Sequence, residues 1–294
     1  MKRCLLNFDK AGAEWVIVAH FSQDPRMLEV LKTGKKPHAV TGNLITGVPY
    51  DLIMRERDII GESTDAGWIE QTRRDKLPEL FKINTLFLPR IFSIYQMGKK
   101  SNHGLNYMME AREFSYQTEM EERDCKKVVD LYRNRAYVNV PLWWDAIFKI
   151  LKDNRIIINP FGRKRRFMGE LNRETQKQAV AHLPQSTNVD MVNEALKLSY
   201  QDEWLMGFVD LLVQAHDSIL TQCVCSDWKR VAHAALRIRH YLEPMVEYGT
   251  IEPFTVGTEL KIGPTWGDMK EVKFTNDVDK LAKDLKQAFE PLTR

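Results

Sequence analysis

Residues 208–224 read Phe208-Val209-Asp210-Leu211-Leu212-Val213-Gln214-Ala215-His216-Asp217-Ser218-Ile219-Leu220-Thr221-Gln222-Cys223-Val224. Two apolar runs flank a short polar centre, and the simplest account is two antiparallel strands joined by a tight turn that carries Asp217. At the other end of the chain the apolar run Cys4 to Phe8 stops on Asp9, ahead of the small residues Ala11 and Gly12, and a helical pattern follows from Ala13 to His20. Two aspartates far apart in sequence thus each end an apolar strand, and neighbouring strands of one sheet would bring them together. Taken singly, an aspartate in such a place is more often a turn or cap residue.

Between and beyond these strands the chain alternates helical stretches with short strands, which predicts an α+β fold. Residues 27–122 read as mostly helical, with turn signals at Thr46-Gly47-Val48-Pro49 and near Pro78, Pro89 and Gly98. The β-branched run Ile156-Ile157-Ile158 leads into Pro160-Phe161-Gly162, a helix resumes near Asn172, and Val189 to Leu198 is again helical. Ser226 is placed to cap a helix that runs to about Tyr241 and is limited by Pro244. Leu260 and Ile262 before Gly263 suggest a late edge strand, and the tail after Lys273 is a charged amphipathic helix. No repeat, low-complexity tract or linker divides the chain.

With 294 residues, 44% of them hydrophobic, the chain can bury a sizeable core. Its net charge of +3 points to no particular partner. The distribution is more telling: from Arg155 to Lys177 seven basic side chains face two acidic ones, a candidate phosphate-contacting patch or a solvated charged loop. The four cysteines lack zinc-pair spacing and read as free thiols in a reducing compartment. No apolar run is long enough to span a bilayer and no leader is visible, so a soluble, cytoplasmic protein without a membrane partner is expected.

Four ordered blocks then carry a resemblance to the family A, polymerase-I-like DNA polymerases, especially phage members. Asp9-Lys10-Ala11-Gly12-Ala13-Glu14-Trp15, followed by Ala19-His20-Phe21-Ser22-Gln23-Asp24-Pro25, resembles that family's motif A. The resemblance makes Asp9 a metal ligand, the backbone carbonyl of Lys10 a second, and Glu14 the steric gate against a ribose 2′-hydroxyl. His38, at the family's spacing from Asp9, becomes a contact to the incoming triphosphate. Gly98-Lys99-Lys100-Ser101-Asn102-His103-Gly104-Leu105-Asn106-Tyr107 resembles the fingers helix, with Lys99, His103 and Tyr107 spaced to share one helical face toward the nucleotide. Two departures stand in this block: Tyr95 where the family usually has Arg, with Arg90 or Lys100 as candidates for the missing charge, and Met108 where it has Gly.

The third block runs from Phe161-Gly162-Arg163-Lys164-Arg165-Arg166 through Arg173 and Lys177 to Pro184-Gln185-Ser186-Thr187 and Asp190. It is similar to the segment that holds the primer-template, which implies DNA contacts by Arg163, Arg165, Arg166, Arg173, Lys177 and Gln185. Ala215-His216-Asp217-Ser218 looks like motif C, with His216 near the primer end, Asp217 as the second catalytic metal ligand, and Ser218 in place of the usual glutamate. Ile262-Gly263-Pro264-Thr265-Trp266-Gly267-Asp268 resembles the closing strand.

The resemblance implies a palm at residues 1–40 and 151–270, mostly helical fingers at 41–150 and a helical tail at 271–294. It implies DNA-directed synthesis from dNTPs on primer-template DNA with two Mg²⁺ ions, or Mn²⁺. Only eight residues precede Asp9, so the thumb and 3′–5′ exonuclease are expected on a separate polypeptide of a split phage replicative polymerase, or lost from a chain cut at the palm. The alternative is a non-catalytic DNA-binding or structural subunit that keeps the fold. A single-subunit RNA polymerase is disfavoured by the bulky Glu14.

Overall fold

The computed structural model describes residues 2–83, 85 and 88–293. In chain order the elements are strand β1 (Arg3–Lys10), helices α1 (Ala13–Ser22), α2 (Pro25–Thr33), α3 (Pro37–Thr46), α4 (Tyr50–Ile60), α5 (Ala66–Lys76), α6 (Ile94–Leu105), α7 (Ala111–Thr118), α8 (Glu122–Leu131) and α9 (Asn139–Asn154), and strands β2 (Ile156–Ile158) and β3 (Lys164–Arg166). Helices α10 (Arg173–Gln201) and α11 (Glu203–Met206), strands β4 (Val209–Ala215) and β5 (Ser218–Val224), helix α12 (Trp228–Leu242), strands β6 (Val246–Tyr248), β7 (Ile251–Phe254), β8 (Thr258–Thr265) and β9 (Asp268–Val272), and helix α13 (Val278–Phe289) follow. The fold is α+β. Two compact units divide it: Met1–Ala13, Ile158–Lys164 and Leu183–Arg294 form the first, Glu14–Ile157 and Arg165–His182 the second.

The first unit is built on a five-stranded sheet of order β4-β5-β1-β8-β9, with antiparallel pairing throughout. Alternation on β1 sends Cys4, Leu6, Phe8 and Lys10 to the buried face and turns Leu5, Asn7 and Asp9 the other way. The buried face packs with the apolar stripes of α12, through Val231, Ala235 and Ile238, and of α13, through Leu281, Leu285 and Phe289. The tail helix is therefore part of this core, and Arg294, the last residue of the expected tail, lies outside the described residues.

Three expectations need correction here. The strand at Leu260 and Ile262 is not an edge, because β9 continues the sheet beyond it. Gly263 allows this, since a Cβ there would stand 2.0 Å from the Asp268 carbonyl oxygen. The cap of α12 is Asp227, whose carboxylate accepts the Arg230 N–H at 3.1 Å, rather than Ser226. The helices read separately near Asn172 and at Val189 to Leu198 are one 29-residue helix, α10, that runs through Pro184. Pro184 gives up one backbone bond, yet Leu183 and Thr187 beside it are buried and Thr187 Oγ1 donates to Leu183 O at 2.7 Å, so packing holds the helix where the local signal says break.

The second unit is mostly helical, and its helices are held by specific polar locks. Glu56 on α4 is fully buried; its Oε2 accepts the Ile94 N–H at the start of α6 at 2.7 Å and its Oε1 accepts Arg73 Nε of α5 at 2.7 Å. Arg73 also donates to the carbonyls of Pro89 and Phe92. Every polar group of this ion pair thus has a partner, the condition under which a buried pair is tolerated. Gly98 marks no turn: it lies inside α6, where a Cβ would come within 2.0 Å of His38 O on α3. Gly42 makes the reciprocal approach to Ile94. Glycine here permits helix contact rather than chain reversal.

Candidate active site

In the first unit the antiparallel register sets Asp9 directly opposite Ser218 on β5 and opposite Glu259 on β8. Asp217 is the last residue of the β4–β5 turn, and its carbonyl accepts the Lys10 N–H at 3.2 Å, which ties the turn to the end of β1. The two aspartates are therefore brought together, as the strand-end reading expected. Burial raises the Asp9 pKa to about 6, helped by the negative charge of Asp217, a hydrogen bond between the two carboxyls and the charge of Glu259, while Lys261 acts against the shift. Two hard-oxygen donors whose charges oppose each other fit a divalent cation such as Mg²⁺. Among the described residues no three His, Cys, Asp or Glu side chains converge on one metal position, so the fit rests on this pair.

Around the pair, Lys10 points its side chain inward, and its Nζ donates to Leu242 O and Val256 O, each at 2.5 Å. Burial of that ammonium lowers its pKa to about 8. His216 adopts φ 54°, and its Nδ1 lies 3.1 Å from Asp217 Oδ1 with the ring largely exposed. Ser218 Oγ donates to Ala215 O at 2.9 Å and so closes the turn. Glu259 was not anticipated from the sequence. The alternation Glu259-Leu260-Lys261-Ile262 signals a strand with one charged face, but only the register shows that Glu259 meets Asp9.

In the second unit a different cluster forms. Tyr107 donates its hydroxyl to Glu14 Oε2 at 2.5 Å, and burial together with the Glu14 charge pushes the phenol pKa well up, so the donor keeps its proton. His38 Nδ1 lies 3.0 Å from Asn102 Nδ2, and its ring packs 6.0 Å from His103 and 5.6 Å edge-on to Tyr95. Asn102 is itself fixed, its Oδ1 accepting from Thr41 Oγ1 and Tyr132 OH. Burial lowers the His38 pKa to about 3, and the charges of His103, Lys99 and Lys36 push the same way. Glu14, His38, Asn102, His103 and Tyr107 help to line a partly open space of about 10 Å³, the size of one water.

One detail departs from expectation. Helix α6 ends at Leu105, so Tyr107 does not share a helical face with Lys99 and His103. It sits in the following turn, its N–H bonded to Gly104 O, before Met108 at φ 65°. Of the two lysines, Lys99 is exposed and Lys100 packs over Phe92, 5.4 Å from the ring centre. Arg90 is exposed.

The basic segment is largely occupied by internal partners. In the first unit Arg163 forms a two-pronged pair with Asp190, and Gln185 is exposed on α10. In the second, Arg165 donates to Gln178, Arg173 pairs with Glu110, and Lys177 pairs with Glu113 at 2.6 Å. Lys164 and Arg166 are exposed. The charge count overstated what this stretch offers to a partner, because the carboxylates that answer it lie far away in sequence.

Residues 95–268 match the family model described as DNA polymerase family A. DNA polymerase theta of Drosophila melanogaster is 22% identical over 285 residues, which cover 92% of this chain and 12% of that protein. Among solved structures, the POL domain of Pol1 from M. smegmatis in complex with DNA primer-template and dNTP aligns with a TM-score of 0.65 at 17% identity, over 90% of this chain and 40% of that one. The chain thus spans less than half the length of either relative, and the structural likeness speaks to the fold. No helix among the described residues is long and apolar enough to cross a membrane. Since the family match spans more than half of the sequence, the chain belongs to the family A DNA polymerases.

Proposed function

We propose that the chain carries out template-directed DNA synthesis, adding dNTP-derived nucleotides to a primer 3′ end. The observation that supports this most is the pairing of Asp9 and Asp217 at neighbouring strand ends. In this reading the two carboxylates and the Lys10 carbonyl hold divalent ions, which would activate the primer hydroxyl and offset charge on the leaving pyrophosphate when bound. The primer oxygen forms a bond to the α-phosphorus while the bond to the β-phosphate oxygen breaks. Glu14, held by Tyr107, excludes a 2′-hydroxyl, and Lys99, His38 and His103 face the triphosphate. His216, Gln185, Arg163, Arg165, Arg166, Arg173 and Lys177 serve the primer-template. For Arg173, whose pair with Glu110 is 55% and 44% exposed, DNA phosphate replaces an ion pair worth only about 0–1 kcal/mol, whereas Arg163 and Lys177 are held more firmly because Asp190 and Lys177 are only 11% and 19% exposed. Thumb and exonuclease functions are assigned outside these 294 residues.

Primer extension on a labelled template with dNTPs and Mg²⁺ tests the reading. Asp9→Ala and Asp217→Ala are each expected to reduce extension by on the order of a thousandfold, with primer-template affinity by anisotropy little changed. Undiminished extension by either variant would sink the assignment, and an unaltered chain that binds DNA without extending it would favour either a split enzyme that needs a thumb-bearing polypeptide or the non-catalytic subunit.

A further inference from the structure

We infer that Arg57, on α4, is a phosphate-contacting residue of the nucleotide site on α6. The inference rests on the reading of α6 as the nucleotide face and adds to it a residue from a different helix, outside all four sequence blocks.

Its basis is how α4 is fixed. Glu56 is locked to the first turn of α6 through the Ile94 N–H and to α5 through Arg73. The next residue, Arg57, is thereby carried to Tyr95, and its guanidinium lies 5.4 Å over the centre of that ring. Tyr95 is one turn before Lys99 on the same helix, and its ring also meets His38. Arg57, Tyr95, His38 and Lys99 therefore follow one another along one side of α6. The cation that the sequence blocks lack at position 95 stands over the tyrosine that replaced it. Lys100, a rival for that role, is turned onto Phe92.

Charge and chemistry point the same way. Lys36 at the start of α3 and Lys99 on α6 act on His38, whose ring meets Tyr95, and Arg57 of α4 stands over that same Tyr95 ring. Crowding of like charge is relieved by a polyanion. The Arg57 side chain keeps about a third of its surface exposed, at 31%, and its partners are the adjacent Asp58, 63% exposed, at 2.6 Å and the Tyr95 side chain. An exposed neighbour of this kind is exchanged at little cost. A planar guanidinium held beside the Tyr95 ring suits bidentate contact with phosphate oxygens. The competing role is a strut, in which Arg57 only braces α4 against α6.

The test compares Arg57→Ala, Arg57→Gln and Lys99→Ala in the full chain. Binding of inorganic tripolyphosphate is measured by calorimetry, with the dNTP KM, the primer-template Kd and the melting temperature alongside. Expected is about a tenfold loss of tripolyphosphate affinity and a matching rise in dNTP KM for both Arg57 variants, with primer-template Kd unchanged; Arg57→Gln keeps the side-chain stem if Arg57→Ala folds poorly. A lowered melting temperature with unaltered tripolyphosphate affinity and KM would leave Arg57 a strut and overturn the inference. If Lys99→Ala weakens binding while the Arg57 variants do not, the inference fails and the site stands. If none of the three changes either quantity, the reading of α6 as the nucleotide face fails with it.

Discussion

The carboxylate pair and the ring cluster on α6 are opposite in sign and opposite in construction. At the first, burial and then the charge of Asp217 make Asp9 harder to ionise; at the second, burial and then the charges of His103, Lys99 and Lys36 make His38 harder to protonate. The first is assembled by a strand ladder, in which main-chain register alone decides that Asp9 meets Ser218 and Glu259. The second is assembled by side chains from α3, α4 and α6, and depends on a buried ion pair and on glycines that let helices touch. A site written in register tolerates most side-chain changes nearby, whereas one written in helix contacts is only as sound as its locks.

Opening a lock tests most severely whether the two sites are independently built. Glu56→Gln leaves the Arg73 guanidinium without its buried carboxylate, and a loss of about 3–5 kcal/mol is expected in denaturant unfolding. The dNTP KM should rise with it, while divalent-ion binding at the carboxylate pair holds; equal damage to both would show that the two sites are not independently built. Gly98→Ala drives a methyl group into the His38 carbonyl and should cost about 1–3 kcal/mol in thermal unfolding. A neutral result there would mean that α3 and α6 can separate without cost.

A further effect concerns sign, read with metal-free protein. The Asp9 pKa is raised above its ordinary value, so this residue favours the folded state more as pH falls from about 6 to about 4. His38 does the reverse. Its folded-state pKa of about 3 lies below its ordinary value near 6.5, the unfolded chain binds the extra proton, and stability is lost as pH drops below about 6.5. Asp217→Asn should lower the Asp9 pKa by removing a neighbouring charge, but leave it above the usual carboxylate value because burial is the larger cause. Carboxyl and imidazole NMR titrations check both, and a His38 ring that titrates near pH 6.5 would contradict its enclosure.

Much of the sheet unit was legible because its cues are local. An apolar run that ends on Asp9, and two runs around His216-Asp217, state their strands outright. What the sequence hid was everything set by distant partners. The place of β8 inside the sheet depends on β9, whose five residues carry little apolar pattern. The continuity of α10 through Pro184 depends on burial of its flanks. Likewise, the basic run from Arg155 to Lys177 cannot announce that Glu110, Glu113 and Asp190 will answer it. The helical unit was legible as helical, but its locks were not, because Glu56, Arg73 and Gly98 look in isolation like a surface pair and a turn.

His216 occupies a left-handed backbone conformation that glycine or asparagine would adopt with less strain, at a saving of about 1 kcal/mol. Under the proposed function, stability and chemistry pull in opposite directions at a single codon. A library of this chain sorted only for heat resistance should drift toward glycine or asparagine at 216, and one sorted for DNA synthesis should keep the histidine. The divergence between those two populations would measure, in competitive fitness rather than in structure, what the imidazole is worth.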